Sequence, residues 1–98
     1  MITNKNFENA TLTLAPVGRL DTITAPEFEK ELDAALSGVE ELIIDLKDVD
    51  YISSAGLRVI LKAQKIMSLR GSLKVTGANS MIMEVFEITG FTDIITIE

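Results

Sequence analysis

The stretch from Leu42 to Thr76 is punctuated in a way that leaves few folds open. Leu42-Ile43-Ile44-Asp45-Leu46 is a short, nearly continuous apolar run, the pattern of a strand buried on both faces of a sheet. Tyr51-Ile52 follows after an acidic connection, and Ser53-Ser54-Ala55-Gly56 leads into a helical repeat from Ala55 to Leu69. On a 3.6-residue wheel Leu57, Ile60, Leu61, Ala63 and Met67 share one broad face, with Arg58, Lys62 and Lys65 opposite. Gly71 is the stop, and Ser72 to Thr76 reads as the next strand. Strand, helix and strand in this order form a crossover, which is right-handed in nearly all proteins. The unit places Ser53 and Ser54 beyond the carboxyl end of a central strand, at the mouth of a helix, where open α/β sheets commonly carry their sites.

The flanking segments extend the same architecture. Thr11 to Val17 alternates at Leu12 and Leu14 and predicts a strand, with Phe7 in a short strand before it and Asn9-Ala10 as the turn. Pro16 argues for an edge or a bulge, and Gly18 for a bend. Thr24-Ala25-Pro26-Glu27 predicts a helix start: Thr24 caps, Pro26 sits in the first turn and Glu27 completes a capping box. Phe28, Leu32, Ala35 and Leu36 then recur at helical spacing, Glu29, Lys30 and Asp33 face out, and Gly38 ends the helix. A third helix begins near Asn79 or Ser80, turns Ile82, Val85 and Phe86 inward and closes at Gly90; Ile94 to Ile97 predicts a last strand. The expectation is one α/β domain over residues 1–98, with a small mixed sheet of four to five strands flanked by three to four helices.

Composition removes whole classes of chemistry. With no Cys and no His there is no disulfide scaffold, thiol nucleophile or zinc finger, and no imidazole base near neutral pH. Nine basic against fifteen acidic residues give −6, the wrong sign for a nucleic-acid binder. No apolar run spans a bilayer, and Met1 to Phe7 lacks the core of a signal peptide, so the expectation is a soluble cytoplasmic chain without membrane contact. Charge is uneven: Leu20 to Asp50 holds ten acids and two bases, net −8, whereas Tyr51 to Met83 holds five bases and no acid, net +5. This pattern is either two solvated helix faces of opposite sign or a bipolar surface that orients a charged protein partner.

A serine at a helix mouth is either a cap or a hydroxyl able to accept a phosphoryl group. The helix N-terminus tolerates the resulting anion. Ser54 as a catalytic nucleophile lacks an activating base: Lys62 and Lys65 lie on the outer helix face, and Lys47 belongs to no recognisable motif. Asp21, Asp45, Asp48 and Asp50 follow no EF-hand spacing and read as turn formers rather than Mg²⁺ ligands. Neither G-x-G-x-x-G nor a P-loop is present. No catalytic residue, metal site or cofactor is therefore expected.

The segment from Leu42 to Leu61, LIIDLKDVDYISSAGLRVIL, strongly resembles the STAS domain of bacterial anti-sigma factor antagonists. Gly18-Arg19-Leu20-Asp21 with Thr24 resembles that family's early turn, and Val85 to Phe91 its last helix and the following Gly. The resemblance implies a compact α/β domain without enzyme activity that binds an anti-sigma factor which is also a serine kinase. Binding frees the sigma factor; phosphorylation of one serine disables the antagonist, and a PP2C-type phosphatase restores it. The family's acceptor aligns with Ser54, and Asp21 aligns with the acid near it. Many members have Asp where Ser53 stands, and Ser or Thr where Ala55 stands. The implied contact surface comprises Asp21, Asp48, Ser53, Ser54 and the row Arg58, Lys62 and Lys65. STAS-like domains also serve as modules in stressosome-like scaffolds and lipid-transport complexes, which is the alternative reading.

Overall fold

The computed structural model describes residues 1–98. In chain order it contains β1 (Ile2–Glu8), β2 (Thr11–Leu20), α1 (Ala25–Ala35), β3 (Glu41–Asp45), β4 (Val49–Ile52), α2 (Ser54–Met67), β5 (Ser72–Thr76), α3 (Ser80–Thr89), a 3₁₀ turn at Phe91–Asp93 and β6 (Thr96–Ile97). The α/β class is as expected, but the sheet has six strands rather than four to five. Its order is β1-β2-β3-β5-β6, with β4 also paired to β2. Only β1 and β2 are antiparallel, joined through Asn9 and Ala10, whose φ angles of 53° and 64° make the tight turn.

The strand β2 serves two parallel partners in succession. It pairs with β3 over Thr11 to Leu14 and with β4 over Gly18 to Leu20, with a register shift between Gly18 and Arg19. Pro16, which has no N–H to donate, falls in the gap between these partners. The strand is thus internal rather than an edge, and the bulge lies just beyond the proline.

Registration across the sheet sets the core. Leu12, Leu42 and Leu73 stand side by side, as do Leu14, Ile44 and Val75, and all six are buried. Against them pack Phe28 and Leu32 of α1 and Ile60, Ala63 and Met67 of α2, each fully buried. The alternate row, Thr13, Ile43 and Lys74, stays half-exposed. The strand at Leu42–Leu46 is therefore buried on one face, not both: its apolar run ends in Leu46, which lies past the strand yet is fully buried.

Other local expectations need correction. Thr24 stands at the α1 N-cap but is helical (φ −88°, ψ −24°) and makes no cap bond, so there is no capping box. Glu27 instead pairs with the amino group of Met1. Pro26 does occupy the first turn. At the end of α2, the helix stops at Met67, before Gly71. A Cβ on Gly71 would collide with the Glu40 carbonyl group, so glycine here allows two backbones to touch. After Gly90 the chain makes the 3₁₀ turn, its Phe91 ring stacked 5.8 Å from Phe86. Only Thr96 and Ile97 of the expected final strand pair with β5, and Ile94 is exposed.

Candidate functional site: a serine at an open helix end

The carboxyl ends of β2 and β4 lie together because Leu20 pairs with Ile52. The ladder runs one step further, with the Ser53 amide donating to the Leu20 carbonyl at 2.9 Å. This bond brings the loop after Leu20 beside the start of α2. Gly56 completes the arrangement: a Cβ there would approach Ile52 Cγ1, Leu20 Cγ and the Leu20 carbonyl oxygen each to 2.9 Å. Only a residue without a side chain lets the first turn of α2 seat on the strand ends.

The two serines part at this junction. Ser53 holds the N-cap position in extended conformation and its carbonyl accepts the Leu57 amide at 3.0 Å. Its hydroxyl caps nothing; Ser53 Oγ is shielded and has no partner. The expected side-chain cap is thus absent. Ser54, the first residue of α2, is exposed. No side chain closes the first-turn amides, which have no intrahelical acceptor.

Asp21 closes the neighbouring loop onto itself. Its Oδ1 accepts the amides of Ile23 and Thr24, each at 3.0 Å. Thr24 Oγ1 accepts the Asp21 amide at 2.9 Å and donates to the Arg19 carbonyl at 2.6 Å. The Thr24 amide foremost, with the Ile23 amide, the Thr24 hydroxyl and the Arg19 guanidinium, holds the Asp21 carboxyl below its ordinary value; partial desolvation opposes this. Arg19 lies 4.3 Å from the centre of the Tyr51 ring and 3.7 Å from Asp21 Oδ2. Arg19 and Tyr51 are register partners, so the β2–β4 pairing builds this polar strip directly. Sequence reasoning missed both residues, because their adjacency depends on a pairing distant in sequence.

The basic row separates on α2. Arg58 is one turn from Ser54 and lines a groove with Thr22, Ala25, Pro26, Glu29 and Ala55. Lys62 is on the outer face as expected and half-exposed, but it is not free: its Nζ holds Glu29 at 2.8 Å and Asp33 at 3.1 Å. These bonds, Glu29 first, raise its pKa above the ordinary 10.5. Lys65 is exposed, about 16 Å along the helix from Ser54. Arg70 donates to the Leu36 carbonyl at 2.6 Å, and Lys74 lies 3.7 Å from Glu98. Of the five bases between Tyr51 and Met83, only Lys62 therefore pairs with acids of the Leu20–Asp50 segment. Asp48 is exposed in the turn before β4, at the amino end of that strand, whereas Ser54 follows its carboxyl end, so the structure does not bring Asp48 into this cluster. No three acidic side chains converge closely enough to hold a metal ion, and no helix is long and apolar enough to cross a membrane.

The chain that carries this mainly parallel sheet, exposed helix-end serine and self-closed acidic loop matches the STAS domain family over residues 2–98. It is 38% identical over 84 residues to the anti-sigma-B factor antagonist of Listeria monocytogenes, covering 83% of this chain and 73% of that protein. It is 36% identical over 81 residues to the anti-sigma-B factor antagonist of Bacillus subtilis, covering 82% and 74%. In fold it matches an anti-sigma factor antagonist from Mycobacterium paratuberculosis with a TM-score of 0.90 at 20% identity, over 98% of this chain and 83% of that one. The phosphorylated form of the Bacillus cell fate determinant SpoIIAA matches with a TM-score of 0.76 at 14% identity, over 99% and 91%. The chain belongs to the STAS-domain family of anti-sigma factor antagonists, regulators and not enzymes.

Proposed function

We propose that this chain is a partner-switching antagonist with Ser54 as its phosphoacceptor. Unmodified, it docks on an anti-sigma factor that is also a serine kinase, and so releases a sigma factor. Phosphorylation of Ser54 ends docking, and a PP2C-type phosphatase reverses it. The exchange takes place in the cytoplasm. The observation that carries this reading is the contrast within the serine pair: Ser54 is exposed at the start of α2, whereas Ser53 Oγ is shielded. A kinase can reach only the first of these hydroxyls without unfolding the helix mouth.

The electrostatics support the switch. A phosphoserine carries about −1.5 to −2 charges at neutral pH. At position 54 it lies at the positive end of the α2 dipole, so the domain accommodates it. A docked partner has no such compensation and must desolvate the dianion. The docking surface is the ground around Ser54: the Asp21 loop, Ser53 and Arg58, with Lys65 further along α2. Lys62 contributes by holding α1 against α2, and Asp48, at the far end of β4, lies outside this surface.

The deciding experiment is incubation with candidate serine-kinase anti-sigma factors and ATP, followed by mass spectrometry of the peptide spanning Ser53 and Ser54. The phosphate is expected on Ser54, with none on Ser53. Modification of Ser53 alone, or of neither by any kinase that binds the chain, would reject the assignment.

A further inference from the structure

We propose that Arg58 is the internal counter-ion of the Ser54 phosphate, so that modification both adds charge to the docking surface and withdraws the cation beside it. The inference rests on Ser54 as acceptor and concerns what the phosphate does once formed. Arg58 lies four residues after Ser54, the spacing that puts two helical side chains on one face with Cβ atoms about 5–6 Å apart. Long side chains in a helix lean toward its N-terminus, and therefore over the preceding turn. Arg58 does so: its Nε points at the Ser54 carbonyl oxygen at 3.4 Å. That contact is at the long limit of a hydrogen bond, and the same carbonyl is already an acceptor within the helix. Its loss leaves no group unsatisfied.

The guanidinium is also uncommitted. Arg58 pairs with no carboxylate, although it shares a groove with Glu29, because Lys62 holds Glu29 at 2.8 Å. The other cation near the strand ends, Arg19, is engaged by Asp21 and the Tyr51 ring. A dianion formed on Ser54 therefore meets one free, fork-shaped donor a single turn away. Guanidinium matches phosphate oxygens bidentately, and bonds between charged partners are roughly twice as strong as neutral ones. Unmodified, the same guanidinium forms one wall of the groove between α1 and α2, where it can receive an acidic side chain of the docking protein. Capture by the phosphate turns it away from that role. A Ser54→Asp substitution supplies less charge and a shorter reach, so it recruits Arg58 less well than phosphate does.

The test uses the full chain with phosphoserine installed at position 54 during synthesis, which needs no kinase. The phosphate is titrated by ³¹P NMR, alone and with Arg58→Gln or Arg58→Lys. A free phosphoserine has its second pKa near about 6. In the otherwise unchanged chain the midpoint is expected lower than in Arg58→Gln by about 0.5–1 pH unit, at or just below the usual effect of a nearby opposite charge because both residues are exposed. The helix dipole acts equally on both, so their difference isolates Arg58. Arg58→Lys, which keeps the charge but loses the fork, is expected to fall between them. Equal midpoints with and without Arg58, at matched melting temperatures, would overturn the inference. Failure of every kinase to modify Ser54 would sink the preceding reading and leave this titration unaffected.

Discussion

Helices α2 and α3 start from nearly the same backbone. Ser53 (φ −98°, ψ 176°) and Asn79 (φ −73°, ψ 173°) are both extended, and both residue types are favoured N-caps. Asn79 acts as one: its Oδ1 accepts the Ile82 amide at 2.8 Å. Ser53 does not, and its hydroxyl is shielded without a partner. The difference lies in what holds each residue. Ser53 is tied through its amide to Leu20, and Gly56 presses the following turn onto Leu20 and Ile52, so the sheet dictates its orientation. The α3 end is closed by its own side chain, whereas the α2 end, beside an exposed hydroxyl, stays open, as the proposed phosphorylation of Ser54 requires.

The strongest way to break this comparison is to place a charge at the open end. Ser54→Asp should weaken binding to the kinase partner by about 100-fold or more, whereas Ser54→Ala should bind like the parent and resist phosphorylation. Melting of Ser54→Asp should be unchanged or higher, because an acid in a first turn stabilises by about 0.3–1 kcal/mol. Calorimetric titration and a thermal melt on one preparation read both. Equal affinity of the Asp and Ala variants would show that the open end is not the switch. A second substitution tests how the end is held open. Gly56→Ala must push α2 off a backbone carbonyl that cannot yield, at a cost of about 1–2 kcal/mol after the better helix propensity of Ala. A melting temperature at or above that of the parent would mean the helix mouth is looser than its contacts imply.

The caps themselves sharpen the contrast at smaller scale. Asn79→Ala should cost about 1 kcal/mol, the usual loss for an N-cap. Ser53→Ala should stay within about 0.5 kcal/mol of the parent, since it removes a hydroxyl that bonds to nothing. Urea midpoints with unchanged slopes decide it; equal losses would mean that Ser53 caps α2 in solution.

What could be read from the sequence divides along the same line. Local signals were legible: the Asn9-Ala10 turn, Phe28 and Leu32 facing inward, Asn79 at the head of α3 and Ser54 at a helix mouth. Features set by distant pairing were not. That β4 extends the pairing of β2 beyond β3 is invisible in Val49-Asp50-Tyr51-Ile52, so the strand count came out low and Arg19 with Tyr51 went unnoticed. Thr24 reads as a cap because its type suits one, but Asp21 takes the amides at that turn. Lys62 reads as an unpaired cation because a helical wheel does not show the acidic face of α1 lying against it.

The start of α1 offers a third case and the smallest effect, because it is closed by a charge and pH can reach it. The Asp21 carboxyl titrates below its ordinary 3.8 in the folded state, so the unfolded chain binds more protons in that interval. Its contribution is complete above the unfolded value and is lost as pH falls through the folded one. Lys62 behaves oppositely: raised above 10.5, it contributes fully below that value and fades as pH climbs through its folded pKa. With no His in the chain, stability should be nearly flat between about pH 5 and 7, below the range in which an α-amino group titrates. Asp21→Asn should melt below the parent at pH 7, and the gap should narrow as pH falls below the ordinary 3.8 and on through the lower folded value, where the parent's own carboxyl gains a proton. Over the same range Asn79→Ala should keep a constant deficit, since a neutral amide closes α3. A gap for Asp21→Asn that does not change with pH would mean the loop is held by the shape of its side chain and not by its charge.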